Sequence, residues 1–208
     1  MESDPIGLRG GVNTFAYSLG NPVVNFDPLG LGCISLAGTV MHCVYPGGGP
    51  DFYVPAPLGV TSDIGRNSFI NVFLYHQYDV QVPLGAADEQ CVMRKLMENP
   101  TPGNPNPASE AGTRNNAPAL IFRNNWVTSY LTSDRMSHRR LVVNVADSGS
   151  AFPPGYVART VSDGVVHTYG EGLAWEQALP IPGLNAVANW TVWKLQMKKF
   201  VKECSCEQ

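Results

Sequence analysis

The apolar positions of the chain predict several strands. Residues 69–82 are rich in aromatic and β-branched side chains, which favour one or two strands. Residues 141–146 form an apolar run that predicts a buried strand. Residues 155–161 and 165–169 predict a hairpin, because Asp163-Gly164 between them supplies the positive φ of a tight turn.

Other stretches have the spacing of helices. Asp88 is a good N-cap for a helix over residues 88–99, which carries a short apolar stripe. A second helix is predicted over residues 184–204, with apolar side chains on one face and lysines on the other side and in its last turns. The apolar positions of residues 119–131 match both the strand and the helix periodicity, which predicts a strand that runs into a short helix.

Glycine and proline shape the rest of the chain. The 21 Gly and 17 Pro limit helix content and predict many turns. The Asn- and Pro-rich residues 99–107 predict a long exposed loop, and residues 32–65 hold no persistent period and predict a linker. The predicted fold class is therefore α+β, a small mixed or antiparallel sheet with a few helices and long Gly/Pro-rich loops.

Composition narrows the classes of function. Because 14 Lys+Arg stand against 17 Asp+Glu, we expect no stable nucleic-acid binding, which normally needs a basic excess. No apolar run is long enough for a spanning helix, and the first residues lack the features of a secretory signal peptide. Five cysteines without CxxC pairs predict neither a metal site nor a cofactor. Cys204 and Cys206 leave open a bridge or an incidental pair at a frayed end.

The first 31 residues carry a repeated motif. Asp-Pro-x-Gly-Leu occurs at residues 4–8 and again at residues 27–31, and each copy has the residue types of a turn. The stretch from Glu2 to Leu31 reads ESDPIGLRGGVNTFAYSLGNPVVNFDPLGL. Almost without a gap, it closely resembles the C-terminal end of the Rhs (YD-repeat) core.

This resemblance implies a division of the chain. Residues 1–31 would be the end of the core, which forms a closed β-cocoon in that family, and residues 32–208 would be the variable toxin domain stored inside it. By resemblance, the core cuts itself at the Leu31–Gly32 bond with Asp27, and with Asp4 from the first motif. Two carboxylates that share a proton are suited to acid–base hydrolysis.

The resemblance also implies partners and a route. Rhs toxins serve in competition between bacteria and are commonly delivered by type VI secretion. The implied partners are the Rhs core shell, the secretion machinery and a cognate immunity protein. The expected location is the target cell, reached through a dedicated secretion system rather than a signal peptide.

Cys91 is the first candidate for chemistry. It would lie in the first turn of the helix that Asp88 caps, where unpaired N–H groups favour a thiolate. His167, on the second arm of the predicted hairpin, is the candidate base. This order of elements is similar to papain-like peptidases, although Tyr156 stands where that family has its histidine. The predicted activity is a thiol hydrolase with Glu171 as the orienting residue. The alternative is that Cys91 is a small apolar residue on the helix face.

Glu171 supports a different enzyme class. It follows His167 in a polar strand end and is flanked by glycines that permit close approach of a ligand, so it could serve an NAD-consuming ADP-ribosyltransferase. A turn with an exposed glutamate explains the same pattern. The arginines around Arg135 and the spacing of His76 and Asp79 are weaker candidates, for phosphate binding and an oriented base. A third, non-enzymatic hypothesis is membrane contact through the C-terminal helix.

Overall fold

The part of the chain that the computed structural model describes contains nine strands and two helices. It describes residues 32–36, 38–45, 49–57, 75–103, 105–117, 125–148, 150, 155–173 and 184–205. The strands are β1 (Gly32–Leu36), β2 (Val40–Val44), β3 (Asp51–Pro55), β4 (Tyr75–Pro83), β5 (Thr113–Asn116), β6 (Trp126–Ser133), β7 (Arg140–Ala146), β8 (Gly155–Ser162) and β9 (Val165–Leu173). The helices are α1 (Glu89–Glu98) and α2 (Leu184–Ser205).

The strands form two antiparallel sheets. The small sheet has the order β1-β2-β3, and the large sheet has the order β4-β9-β8-β7-β6-β5. Consecutive strands pair everywhere in the large sheet except at β4, which pairs with β9 at one edge. The α+β fold class predicted from the sequence is confirmed.

Two predictions of local structure are confirmed, because contacts between neighbouring residues determine both structures. Asp163 and Gly164 both adopt positive φ, at 54° and 74°, and close the β8–β9 hairpin. The Asp88 carboxylate accepts the backbone N–H of Cys91 at 2.7 Å, so Asp88 is the N-cap of α1.

The large sheet has an apolar layer on each face. One face packs against the small sheet through residues that include Met41, Phe52 and Val143. The other face packs against α1 and α2 through residues that include Val166, Leu96 and Met197. Alternating side chains of each central strand are therefore buried on opposite sides of the sheet.

Two disulfides lie within these layers. Cys33 and Cys43 are directly opposite each other on β1 and β2 and form a bridge inside the small sheet. Cys91 in the first turn of α1 is bridged to Cys204 in the last turn of α2. The interpretation of Cys204 as half of an incidental pair is therefore replaced by a bridge between the two helices.

Three stretches differ from their predictions. Residues 32–55, predicted as linker, contain the whole small sheet, whose five-residue strands are too short to show a persistent period. Residues 126–133 are one continuous strand, so no helix forms there; residues 118–124 lie outside the described part. Residues 69–74 of the predicted strand region also lie outside it, while β4 confirms the remainder.

The loop predicted to be exposed after α1 crosses the helix-side face of the large sheet. Pro100 and Thr101 in this loop are buried. Side chains from the sheet and from α2 hold its backbone: Asn144 Nδ2 donates to Pro100 O at 2.7 Å, and Gln196 Nε2 donates to Thr101 O at 2.9 Å. Because these hydrogen bonds satisfy two buried carbonyls of the loop, a segment with many prolines can pack against the sheet.

Gly170 has a packing role. Its neighbour on β4 is Tyr78, and a Cβ added at Gly170 would lie 2.1 Å from the Cζ atom of that ring. The predicted role of this glycine, close approach of a ligand, is therefore replaced by close approach of a side chain within the fold.

We expect Gly170→Ala to destabilise the protein by about 2 kcal/mol, because the rigid Tyr78 ring must move. Urea unfolding would measure the loss. In a Tyr78→Ala background the same alanine should add almost nothing. An equal loss in both backgrounds would contradict the contact.

Candidate functional site

The best-defined polar cluster lies on β9. Because side chains alternate along a strand, His167, Tyr169 and Glu171 share one face, while Val166 and Thr168 face the helices. The first three therefore face the same side as the small sheet, where Tyr169 packs against its apolar layer.

Asp79 on β4 joins this cluster. It is directly opposite Tyr169 in the β4–β9 pair, and its Oδ1 atom lies 4.0 Å from Nδ1 of His167. The side chains of His167 and Asp79 are 17% and 33% exposed, so solvent reaches both. The weaker sequence hypothesis paired Asp79 with His76, whose side chain lies outside the described part; the described partner is His167.

Aromatic rings pack against one another in this cluster. The rings of His167 and Tyr169 are parallel with centroids 5.5 Å apart, and Tyr45 of the small sheet contacts Tyr169 at 4.9 Å. Burial raises the pKa of the Tyr45 hydroxyl, and the negative charges of Asp79 and Glu171 raise it further. Tyr45 therefore stays protonated beside both carboxylates. We call these five residues, Tyr45, Asp79, His167, Tyr169 and Glu171, the His167 face.

The His167 face has the groups for acid–base chemistry. An imidazole can take a proton from water, and a carboxylate 4.0 Å away stabilises the imidazolium that results. Glu171 is only 2% exposed and directly opposite Tyr156 in the β8–β9 pair, so the exposed glutamate of the alternative prediction is wrong. Sequence reasoning found His167 and Glu171 but missed Tyr45 and the pairing of Asp79, because both come from strands distant in the chain.

The structure does not bring Cys91 and His167 together. Cys91 belongs to the apolar layer on the helix side of the large sheet, whereas His167 faces the small sheet. In addition, the Cys91 sulfur is bonded to Cys204 and has no thiol proton to lose. The predicted nucleophile–base pair is therefore separated by the sheet, and the apolar alternative describes where Cys91 lies.

Three arginines of the predicted phosphate cluster bind carboxylates within the protein. Arg135 Nη1 lies 3.3 Å from Asp51, and Arg139 forms two hydrogen bonds to Asp163. Arg114, upstream in sequence, pairs with Asp147 at 2.8 Å. These pairs neutralise the charges that a phosphate would need.

A second polar cluster, unmarked by any sequence motif, surrounds Asp51. His42 Nε2 lies 2.8 Å from Asp51 Oδ1, and the backbone N–H of Asp51 donates to Asp134 at 2.9 Å. The Tyr53 ring is in contact with both side chains that bind Asp51, His42 at 4.4 Å and Arg135 at 4.9 Å. Each polar group has a partner within the protein, so this cluster joins the small sheet to the β6–β7 turn.

The predicted cleavage residues Asp4, Asp27 and Leu31 lie outside the described residues. Gly32, on the other side of the predicted cleaved bond, is the first residue of β1 and has a φ of 137°. Within the described ranges, no group of three or more His, Cys, Asp and Glu side chains could hold a metal ion.

The C-terminal helix packs on the large sheet. Trp193, Met197 and Phe200 are buried against it, and in the described ranges no helix is long and apolar enough to span a membrane. Membrane contact through α2 stays a prediction that would require these side chains to leave the core.

The proposals for this site rest on its own geometry. No protein-family model matches the chain, and no solved structure matches it.

Proposed function

We propose that the chain is the end of an Rhs core followed by its toxin domain, which serves in competition between bacteria. The support is the sequence of residues 2–31, with its two Asp-Pro-x-Gly-Leu motifs. In this proposal the toxin is delivered by a type VI secretion system, released by cleavage of the Leu31–Gly32 bond and neutralised by a cognate immunity protein in the producing cell.

We further propose that the toxin is a hydrolase that uses acid–base chemistry at the His167 face. The observation that carries this proposal is the His167–Asp79 approach of 4.0 Å on a solvent-accessible face. His167 would take a proton from an attacking water, and Asp79 would stabilise the imidazolium. Glu171 would orient the substrate or the imidazole. A thiol mechanism through Cys91 would first need reduction of the bridge to Cys204.

The disulfides favour a target outside the cytoplasm. Bridges such as Cys33–Cys43 and Cys91–Cys204 form in oxidising compartments, and the bacterial periplasm is one of them. We therefore propose that the substrate is a hydrolysable polymer of the bacterial envelope. The ADP-ribosyltransferase alternative fits less well, because Glu171 is almost fully buried and the cofactor would have to reach it.

We expect the toxin domain to kill susceptible cells when an export leader directs it to the periplasm, and to be harmless when it remains in the cytoplasm. His167→Ala should reduce killing at least about a hundredfold, since general acid–base catalysis contributes a factor of this size. Asp79→Asn and Glu171→Gln should also reduce it. Viable counts after induction would measure the effect.

His138→Ala is the matched control, because His138 is an exposed histidine outside the cluster and its loss should leave killing unchanged. Thermal unfolding of each purified variant would show that the fold is kept. Undiminished killing by a folded His167→Ala variant would overturn the acid–base proposal. Killing from the cytoplasm alone, with a fall in cellular NAD, would favour the transferase.

A further inference from the structure

Arg159 is a buried positive charge that the acid–base site does not use. It lies on β8 and is 0% exposed, and its neighbours across the sheet, Val142 and Thr168, are also on the helix side. Among the described residues, no carboxylate forms an ion pair with it, and the only nearby ionisable group that acts on it is Tyr78. Burial lowers the pKa of its guanidinium to about 9, which leaves it charged at neutral pH.

The partners of Arg159 are all neutral. Nη1 donates to Gln196 Oε1 at 2.8 Å, and Nη2 donates to Pro100 O. The guanidinium carbon lies 4.9 Å from the centre of the Trp193 ring. A buried charge is costly unless an opposite charge accompanies it, and these partners supply hydrogen bonds without a negative charge.

Two polar groups of this region lack a partner. Arg159 Nε and Thr101 Oγ1 are both buried, and neither has a hydrogen-bond partner among the described residues. They belong to the same neighbourhood, because Arg159 binds the carbonyl of Pro100 and Gln196 links Arg159 to the carbonyl of Thr101. This neighbourhood therefore holds an N–H donor on a cation and a hydroxyl donor, each without a partner among the described residues.

We propose that Arg159 and Thr101 form an internal binding site for a small monovalent anion, of the size of chloride or nitrate. Two open donors match such an ion, whereas phosphate and sulfate carry more charge and need more donors. A single negative charge balances the single positive charge of Arg159. The burial of both side chains favours a small ion over an organic ligand.

Sodium chloride is the probe. We would titrate it into the full oxidised chain in sodium gluconate, at constant ionic strength, and follow thermal unfolding. The unfolding temperature should begin to rise as chloride passes its Kd and then increase with the logarithm of its concentration, by about 5 °C or more at roughly a hundredfold above the Kd. A flat response would mean that water alone fills the site and would overturn the proposal.

Variants locate the site. Arg159→Met should abolish the chloride-dependent rise, and Arg139→Met, at an exposed arginine, should keep it. If Arg159→Met fails to fold, Thr101→Val tests the site instead, because it keeps the charge of Arg159. It should shift the chloride dependence of the unfolding temperature to several-fold higher chloride concentrations. An unchanged response in folded Arg159→Met or in Thr101→Val would place the ion elsewhere and overturn the proposal. Broadening of the chloride-35 resonance, reversed by nitrate, gives a readout independent of stability.

Discussion

Replacement of Cys91 and Cys204 by alanine should lower the free energy of unfolding by about 5 kcal/mol. The bridge closes a loop with a sequence separation of 113, and loss of loop-closure entropy in the unfolded chain is the main expected source of its stabilisation. The Lys95–Glu203 ion pair also joins the two helices, at 3.4 Å, but it is partly exposed and contributes little by comparison. Helix α2 should therefore be the first element to separate from the sheet.

The other disulfide is the matched control. Cys33 and Cys43 are separated by only 10 residues, so their replacement by alanine should cost about 3 kcal/mol. Urea unfolding of the oxidised proteins measures both losses, and peptide mapping of the wild type identifies the two pairs. Equal losses, or a larger loss at Cys33–Cys43, would contradict the assignment of the stabilisation to the long loop.

Local signals in the sequence were sufficient where neighbouring residues decide the structure. Asp88 caps α1 through the N–H of Cys91, three residues later, and Asp163-Gly164 closes a hairpin through its own backbone angles. Both depend on contacts within a few residues. The sequence therefore predicted these two elements and the strand that carries His167, whereas Glu171, predicted at the end of that strand, lies within it.

Contacts between distant segments could not be predicted in the same way. Asp79 lies beside His167 only because β4 pairs with β9, and nothing in either strand alone specifies that pairing. The same holds for Cys91 and Cys204. Their disulfide gives Cys91 a structural role in place of the predicted role as a nucleophile. The residue types predicted which groups can do chemistry, while the sheet order determines which of them meet.

Asn144 is the strongest example of a residue whose role is non-local. It lies on β7 and is 2% exposed. Its Oδ1 atom accepts the hydroxyl of Ser129 at 2.7 Å, and its Nδ2 atom donates to Pro100 O at 2.7 Å. Ser129 in turn accepts from Asn115, whose side chain binds the backbone of Asn106. Two buried amides, Asn144 and Asn115, therefore connect the two ends of the loop after α1 to the sheet, and the Ser129 hydroxyl links them.

We expect Asn144→Ala to cost about 3 kcal/mol, because it leaves the buried Ser129 hydroxyl without its acceptor and opens a cavity under Pro100. Hydrogen exchange should also become faster in residues 99–108, since the loop loses its attachment to β7. Asn106→Ala is the matched control. The hydrogen bonds described for Asn106 use its backbone N–H and C=O, so the free energy of unfolding should change by less than about 0.5 kcal/mol. Equal losses in the two variants, or unchanged exchange in the loop of Asn144→Ala, would contradict the view that buried side-chain amides hold this proline-rich segment on the sheet.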